Sequence, residues 1–337
     1  MKKKEKIDFN AYGLKPAGSY SSSIDDLSDF LRDLNEVEKK AGELNRETAA
    51  AISAKPENKE QATDKSLEEL MAELDELVGL DKVKANVKSL INLVKVRRLR
   101  EENELPNTKM SLHLVFMGNP GTGKTTVARL IAGLYHAIGV LSKGQLVETD
   151  RSGLVAGYVG QTAIKTAEVI KRAMGGVLFI DEAYALTPDG SGNDFGREAV
   201  DTILKAMEDY RDDLVVIVAG YEELMEKFIS SNPGLESRFN RYFVFEDYTG
   251  EELSRIFDSM CAKNSYVLDD EAKKFASDYF NMLYASRDEN FGNARDVRNI
   301  FENMVSVHSD RLAEMENPTR EDLVKVLAED LEKATLM

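Results

Sequence analysis

The chain has 337 residues, with 44 Lys and Arg against 60 Asp and Glu, so its formal net charge is −16. That length has room for about two domains with buried cores. The acidic balance disfavours general binding to nucleic acid or to an anionic membrane, because phosphate groups would meet a surface of the same charge. Cys261 is the only cysteine, which excludes a disulfide within the chain and is typical of a reducing cytosol.

Targeting, membrane and zinc signals are weak in this sequence. The basic start is not followed by the apolar stretch of a signal peptide, and no run approaches the ~18 apolar residues of a membrane-spanning helix. The histidines have no cysteine partners at zinc-ligand spacing, so we expect no zinc site; they are His113, His136 and His308. We therefore expect a soluble cytoplasmic protein with no membrane partner.

Composition divides the chain into three regions. Residues 1–65 hold too few large apolar side chains to bury a core. We interpret them as a flexible polar extension with one marginal helix near residues 24–52; a partner-docking or regulatory arm is the alternative. Residues 66–248 are predicted to form an α/β domain, and residues 249–337 a small all-α domain.

Alternating strand and helix patterns predict the fold of the middle region. Ser66-Leu67-Glu68-Glu69 is a capping-box sequence that indicates a helix start, and a second helix is predicted over residues 82–100. Near-continuous apolar runs suit parallel strands covered on both faces; the predicted strands are 112–117, 145–148, 176–180, 214–219 and 241–245. The helices predicted between them are 124–138, 163–174 and 197–210. This order predicts a five-stranded, doubly wound parallel sheet sandwiched by helices.

Strand patterns stop after Tyr248. Thr249-Gly250-Glu251-Glu252 is a second capping box, and Thr319-Arg320-Glu321-Asp322 is a similar start signal. The predicted helices of this region are 250–263, 269–285, 293–314 and 319–334.

A glycine-rich sequence follows the first predicted strand, Gly118-Asn119-Pro120-Gly121-Thr122-Gly123-Lys124-Thr125. It matches G-x-x-x-x-G-K-[ST], in which backbone N–H groups and a helix N-terminus cradle phosphate. Lys124 is predicted to reach the β- and γ-phosphates, and the Thr125 hydroxyl to ligate Mg²⁺. The predicted nucleotide-binding residues of this segment are Asn119, Pro120, Gly121, Thr122, Gly123, Lys124, Thr125 and Thr126.

The strand at 176–180 delivers Asp181 and Glu182 to the carboxyl edge of the predicted sheet, where ligands bind in open α/β folds. Asp181 is suited to hold Mg²⁺, and Glu182 to polarise an attacking water. An isolated Asp-Glu pair more often forms a solvated turn, but the buried strand and the phosphate loop favour the catalytic interpretation. The sequence therefore predicts ATP hydrolysis.

Together, these features resemble an AAA+ P-loop ATPase with a helical lid. Three segments carry a closer resemblance to the CbbX/SpoVK group, which includes red-type Rubisco activase and stage V sporulation protein K: GYVGQT (157–162), MGGVLFIDEAY (174–184) and DDLVVIVAGY (212–221). The similarity covers residues 66–337 and leaves the N-terminal extension unmatched. It implies a ring, expected to be a homo-hexamer, that binds ATP and Mg²⁺.

The resemblance also implies roles for individual residues. Val78 and Gly79 would border the adenine. Arg238 in Ser237-Arg238-Phe239 follows the arginine-finger pattern, and it would reach the γ-phosphate of a neighbouring subunit, with Arg241 as a weaker candidate. Arg295 in Gly292-Asn293-Ala294-Arg295 resembles sensor 2. Each arginine could instead be a surface ion-pair residue, and Ala219-Gly220-Tyr221-Glu222 lacks the polar sensor 1 that many family members carry.

Tyr158-Val159-Gly160 resembles the pore loop with which AAA+ translocases grip a polypeptide. A tyrosine ring offers sequence-independent apolar contact at low rotamer entropy, and the neighbouring glycines let the loop move. A local packing anchor is the alternative. The resemblance thus implies an Mg²⁺-dependent ATPase that remodels or partly threads a protein client. An ATP-gated assembly scaffold and, less favoured, a nucleic-acid motor or loader are the alternatives.

Overall fold

The computed structural model describes residues 65–106, 110–158, 160–187, 195–288 and 291–337. The predicted N-terminal extension, apart from Lys65, lies outside the described residues, as does Val159 of the predicted pore loop. None of the helices in the described ranges is long and apolar enough to cross a membrane.

A parallel sheet occupies the centre of the α/β region. Within the described residues it has five strands, and these are β1 (Leu114–Gly118), β2 (Leu146–Thr149), β3 (Val177–Ile180), β4 (Val215–Gly220) and β5 (Tyr242–Phe245). Their spatial order is β2-β3-β4-β1-β5. β1 therefore lies between β4 and β5, with Val115 in register with both Val218 and Tyr242. The predicted parallel fold is confirmed.

Helices cover both faces of this sheet. Neighbouring residues of a strand point to opposite faces, so a strand made only of apolar residues must be covered on both. Phe116 packs in the same apolar cluster as Val87 and Ile131, whereas Val115 belongs to a second cluster with Ile203. The helices are α1 (Leu67–Glu76), α2 (Asp81–Glu102), α3 (Lys124–Ala137), α4 (Arg151–Leu154), α5 (Gln161–Ala173), α6 (Gly196–Asp209), α7 (Glu222–Ser230) and α8 (Pro233–Arg238). A 3₁₀ turn, Ala183–Leu186, follows β3.

The C-terminal region, called the lid below, is mainly helical and has its own apolar core. Phe257, Phe280 and Val297 are among its buried members. The lid helices are α9 (Gly250–Lys263), α10 (Asp270–Ala285), α11 (Ala294–Ala313), α12 (Arg320–Val324) and α13 (Ala328–Ala334). Two short strands, β6 (Val267–Leu268) and β7 (Lys325–Val326), pair in parallel.

The single helix predicted for residues 319–334 is wrong, because β7 interrupts it. Lys325 has extended dihedral angles, φ −86° and ψ 117°, and Val326 is fully buried beside Leu268. The Nε2 atom of His308 lies 3.1 Å from the carbonyl oxygen of Lys325, a contact that this extended backbone permits. Tertiary pairing therefore overrides the local helical pattern.

Both capping boxes predicted from the sequence are present, at Ser66 before α1 and at Thr249 before α9.

Candidate functional site

A cleft of about 330 Å³ opens at the carboxyl edge of the sheet, facing the start of α11. The ends of β1, β3 and β4 reach it side by side, as the strand order requires. The residues that line it are Gly118, Pro120, Gly121, Gly123, Lys124, Thr125, Thr126, Asp181, Glu182, Gly220, Tyr221, Ala294, Arg295 and Arg298. The fold thus brings most of the predicted site residues into one space.

The loop between β1 and α3 wraps tightly over this cleft. Gly121 and Gly123 have φ of +71° and +92°, in the left-handed region that favours glycine. A Cβ on Gly121 would lie 2.1 Å from the carbonyl oxygen of Gly292, so only glycine fits against the lid there. The buried Thr122 donates its hydroxyl to the carbonyl oxygen of Asn119 at 2.8 Å. The loop is therefore shaped by contacts of its own before α3 begins.

Lys124 opens α3 and folds back onto the loop. Its Nζ donates to the carbonyl oxygens of Gly118 at 2.8 Å and Asn119 at 2.7 Å. Burial lowers the pKa of Lys124, and the negative charge of Asp181 opposes that shift. The ammonium group is thus held at the mouth of the cleft, close to a carboxylate.

Asp181 and Glu182 follow the four buried residues of β3, and both line the cleft. Glu182 has φ +48°, an uncommon left-handed conformation for a glutamate, and its N–H donates to Oδ1 of Asp181 at 3.1 Å. Backbone strain of this kind costs about 1–3 kcal/mol and concentrates at functional sites. The turn therefore places two consecutive carboxylates at the same cleft, and the Asp181 carboxylate accepts the backbone N–H of Glu182.

The end of β4 contributes Gly220 and Tyr221. A Cβ on Gly220 would lie 2.7 Å from the ring of Tyr184, so glycine allows this close packing. Burial and the negative charge of Glu182 raise the pKa of Tyr184 to about 12. No sensor 1 could be assigned from the sequence at the end of β4. In the structure, Tyr221 directly follows β4 and brings a polar hydroxyl group to the cleft there.

From the lid, α11 presents Arg295 and Arg298 to the cleft. Residues three apart share one face of a helix, so the two arginines enter together. Arg295 was predicted from the sequence, whereas Arg298 was not; its spacing of three residues from Arg295 was the available signal. Two cations from the lid thus face the carboxylates and the glycine-rich loop.

A second cavity of about 210 Å³ adjoins the first and shares Gly121, Gly123, Thr126 and Ala294 with it. Its other lining residues include Val78, Leu80, Tyr248, Ile256 and Met260. Gly79 is not among the residues that line this cavity, and a Cβ on it would meet the Glu252 carboxylate. An apolar cavity beside a polar cleft can take a flat base next to its phosphate chain.

Arg238 does not line the cleft. At the end of α8, its guanidinium donates to Glu208 and to the carbonyl oxygen of Gly234, each at 3.4 Å. Its Nε is buried and has no hydrogen-bond partner among the described residues, and the same holds for Nε of Arg241. Of the predicted catalytic residues, Arg238 is the one that the structure keeps apart from the rest.

Tyr158 lies on the loop before α5 and is 73% exposed. A Cβ on Gly157 or Gly160 would meet no atom within 4 Å. Such exposure disfavours the packing-anchor interpretation of this tyrosine.

Two family models match the chain. Residues 114–247 match "ATPase family associated with various cellular activities (AAA)", and residues 249–337 match "AAA lid domain". The first match spans the sheet with its glycine-rich loop, and the second spans the lid.

Curated relatives match over most of their length. Stage V sporulation protein K of Bacillus subtilis is 41% identical over 81% of this chain and 85% of that protein. A CfxQ homolog of Galdieria sulphuraria is 40% identical over 90% of this chain and 98% of that protein. The chloroplastic ribulose bisphosphate carboxylase/oxygenase activase of Cyanidioschyzon merolae is 42% identical over 80% of this chain and 92% of that protein.

Among solved structures, a variant of Thermotoga maritima RuvB is similar with a TM-score of 0.53 and 19% identity, covering 78% of this chain and 70% of that one. At this identity the likeness shows the fold alone.

Proposed function

Because the chain belongs to the AAA+ ATPases, in the CbbX/SpoVK group, we propose that it is a magnesium-dependent ring ATPase that remodels a protein client. Hydrolysis of ATP is the activity of this family. The observation that carries the proposal is the cleft itself, which joins the glycine-rich loop, two carboxylates and two lid arginines.

The triphosphate lies along the loop from Asn119 to Thr126, with backbone N–H groups and Lys124 as its donors. Arg295 contacts the phosphates from the lid. The adenine occupies the adjoining apolar cavity beside Val78, and Gly79, next to Val78 in the chain, borders it through the backbone. The continuity of the two cavities supports this arrangement.

Thr125 and Asp181 fit a magnesium site, because a hydroxyl and a carboxylate lining the same cleft are hard oxygen donors. Mg²⁺ takes one or two such protein ligands together with substrate phosphates, and when bound it neutralises phosphate charge. Glu182 accepts a proton from the attacking water as the bond to the γ-phosphorus forms and the bond to ADP breaks. Its exposure to the cleft supports that role.

Arg238 completes the site of a neighbouring subunit. Its position outside the cleft of its own chain supports action in trans, and a ring, which we propose to be a homo-hexamer, provides that geometry. Glu208 holds the guanidinium until the neighbouring nucleotide takes over that contact.

Tyr158, with Val159 and Gly160, contacts the client. The exposure of Tyr158 and the open space around Gly157 and Gly160 support this role. Among the relatives, one is named for activating ribulose bisphosphate carboxylase/oxygenase and another for sporulation. The activase's name favours a protein client over nucleic acid without choosing which protein.

Mixing of subunits tests the ring. Arg238→Ala alone should lose ATP turnover by about 10³-fold or more, as arginine fingers do elsewhere. Adding Glu182→Gln subunits, inactive in their own sites but still carrying Arg238, should restore part of the turnover. Arg211→Ala is the matched control, because Arg211 also pairs with Glu208 at 3.4 Å but should keep near-normal turnover. Failure of every mixture to recover activity would contradict action in trans.

Client capture tests the role of Tyr158. Glu182→Gln with ATP should retain bound protein partners, identified by mass spectrometry. Adding Tyr158→Ala should release them while ATP binding persists, whereas Tyr210→Ala, at another exposed tyrosine, should not. Equal capture by both double variants would favour an ATP-gated scaffold, and DNA-stimulated hydrolysis would favour a nucleic-acid motor.

A further inference from the structure

One carboxylate outside the predicted site joins the glycine-rich loop to the lid. Asp247 lies in the short connection between β5 and α9. Its Oδ1 accepts a hydrogen bond from Nδ2 of Asn119 at 2.9 Å and another from Nδ2 of Asn293 at 2.8 Å. Asn119 belongs to the loop, and Asn293 stands directly before α11.

Asn293 is fully buried, and each polar group of its side chain is used. Besides Asp247, its Nδ2 donates to the carbonyl oxygen of Pro120 at 3.3 Å, and its Oδ1 accepts from the backbone N–H of Tyr248 at 2.9 Å. Its φ is +54°, an unusual value that these contacts hold in place. An alanine here would remove the amide from all three partners and would leave the buried N–H of Tyr248 without its acceptor.

The same network fixes the start of α11 on the loop. The N–H of Ala294 donates to the carbonyl oxygen of Gly121 at 3.2 Å. Arg295 is the next residue, so its backbone is tied to the loop through Asn293 and Ala294. Hydrogen bonds to a charged carboxylate are shorter and stronger than neutral ones and confine their partners in direction. A shift of the loop is therefore transmitted to the helix that carries Arg295.

We propose that Asp247 is a positioning residue that couples occupancy of the glycine-rich loop to the placement of Arg295. The inference rests on the proposed function, in which this cleft binds ATP. When the loop adjusts to phosphate, Asn119 moves Asp247, and Asp247 moves Asn293 and the first turn of α11. Asp247 contacts neither nucleotide nor water in this role; it acts through Arg295.

The test is a double-mutant cycle on kcat/KM for ATP, using the full chain. Asp247→Asn should lower this value about tenfold or more, because a charge-assisted contact is lost. In an Arg295→Ala background the same change should cost no more than about twofold. Glu246→Gln is the matched control, since Glu246 is the adjacent acid and pairs with Lys82 at the surface; it should stay within about twofold of wild type. Additive losses would overturn the inference.

Hydrogen exchange measures whether ligand binding at the loop changes the protection of α11. If Asp247 were only structural, its replacement would not remove this ligand-induced change. In wild type, saturating non-hydrolysable ATP analogue with Mg²⁺ should slow exchange of the amides in the first turns of α11. Asp247→Asn should bind the analogue at higher concentration without that protection. Unchanged protection in Asp247→Asn would overturn the coupling, whereas failure of wild type to bind the analogue would overturn the proposed function instead. If Asp247→Asn does not fold, Asn119→Ala removes the loop end of the network and should behave in the same way.

Discussion

The α/β region and the lid are each stabilised by apolar clusters, and a network of hydrogen bonds joins them where they meet. Two clusters cover the faces of the sheet, and a third fills the lid. Across the junction, Leu80 and Tyr248 supply apolar contact, and hydrogen bonds link Asp247 and Asn293 to the loop. Apolar packing is non-directional, whereas hydrogen bonds to a carboxylate confine their partners in direction. The junction therefore contains the directional contacts between the two regions that the apolar clusters lack.

Chemistry is divided between the regions in the same way. The sheet edge supplies groups held by local contacts, such as Lys124 bonded to two loop carbonyls and Glu182 in a strained turn. The lid supplies Arg295 and Arg298 on one exposed helix face. The α/β part of the site is thus preorganised, whereas the lid part depends on how α11 is placed.

The largest expected effect is loss of chemistry in the α/β region with the lid left intact. Glu182→Gln should lower kcat about 10²–10⁴-fold, because an amide cannot accept the proton of the attacking water. ATP affinity should stay near that of wild type. Steady-state hydrolysis and equilibrium titration with ATP measure the two quantities. Glu223→Gln, an exposed glutamate on α7, is the control, and equal turnover in the two variants would remove Glu182 from catalysis.

The next effect is confined to the lid core. Asp330 is fully buried, and its carboxylate accepts two hydrogen bonds from Arg311, each at 2.8 Å. Asp330→Ala leaves that guanidinium with the carbonyl oxygen of Lys325 but no carboxylate, and it also removes the acceptor of the Leu327 N–H. The loss should cost about 3–5 kcal/mol of unfolding free energy. Denaturant unfolding followed with a probe in each region should show the lid melting first while the sheet keeps its transition.

A pair on the same helix provides the control. Lys333 and Glu329 of α13 lie 3.9 Å apart with side chains 63% and 52% exposed. Lys333→Ala should therefore change lid stability by no more than about 1 kcal/mol. Equal losses for Asp330→Ala and Lys333→Ala would mean that burial of the carboxylate does not decide its contribution.

Local patterns predicted most of the fold. The strand predicted at 214–219 is Val215–Gly220, and the helix predicted at 250–263 has those bounds. Helices α7 and α8 were missed between stronger signals. For α8 the start signal was present, since Asn232 caps a helix with proline at its first position. Apolar periodicity and caps are local properties, so they can be read without tertiary information.

From residue patterns alone, the site was predictable only where it is continuous in sequence; Arg295 of the lid came from the family resemblance. The glycine-rich loop and Asp181-Glu182 are short motifs next to buried strands. Asp247, by contrast, meets Asn119 across 128 positions of the chain, and nothing in its neighbourhood marks it as a partner. The opposite holds for Arg238, whose motif was recognised although the fold keeps it out of the cleft. A contact that folding makes between residues far apart in sequence has no local signal.

The smallest expected effect is a pH response of the α/β region through His113. Its Nδ1 accepts the N–H of Val216 at 3.0 Å, and burial lowers its pKa from 6.5 to about 4, with the charge of Arg238 acting in the same direction. The unfolded chain therefore binds a proton between pH 6.5 and 4 that the folded chain rejects. Stability from this group is complete above pH 6.5 and falls as the pH drops, by about 2 kcal/mol between pH 7 and 5.

His113→Asn tests this, because its Oδ1 can accept the same N–H but does not titrate. Urea unfolding followed in the sheet should show that the variant loses less stability than wild type between pH 7 and 5, by about 2 kcal/mol. A lid probe should show no difference between the two proteins, since His113 packs at the base of the sheet beside Phe239. If the unfolding free energies of wild type and His113→Asn, followed in the sheet, depend on pH in the same way, His113 is protonated in the folded protein without cost. If the lid probe shows the same difference as the sheet probe, the two regions unfold as one.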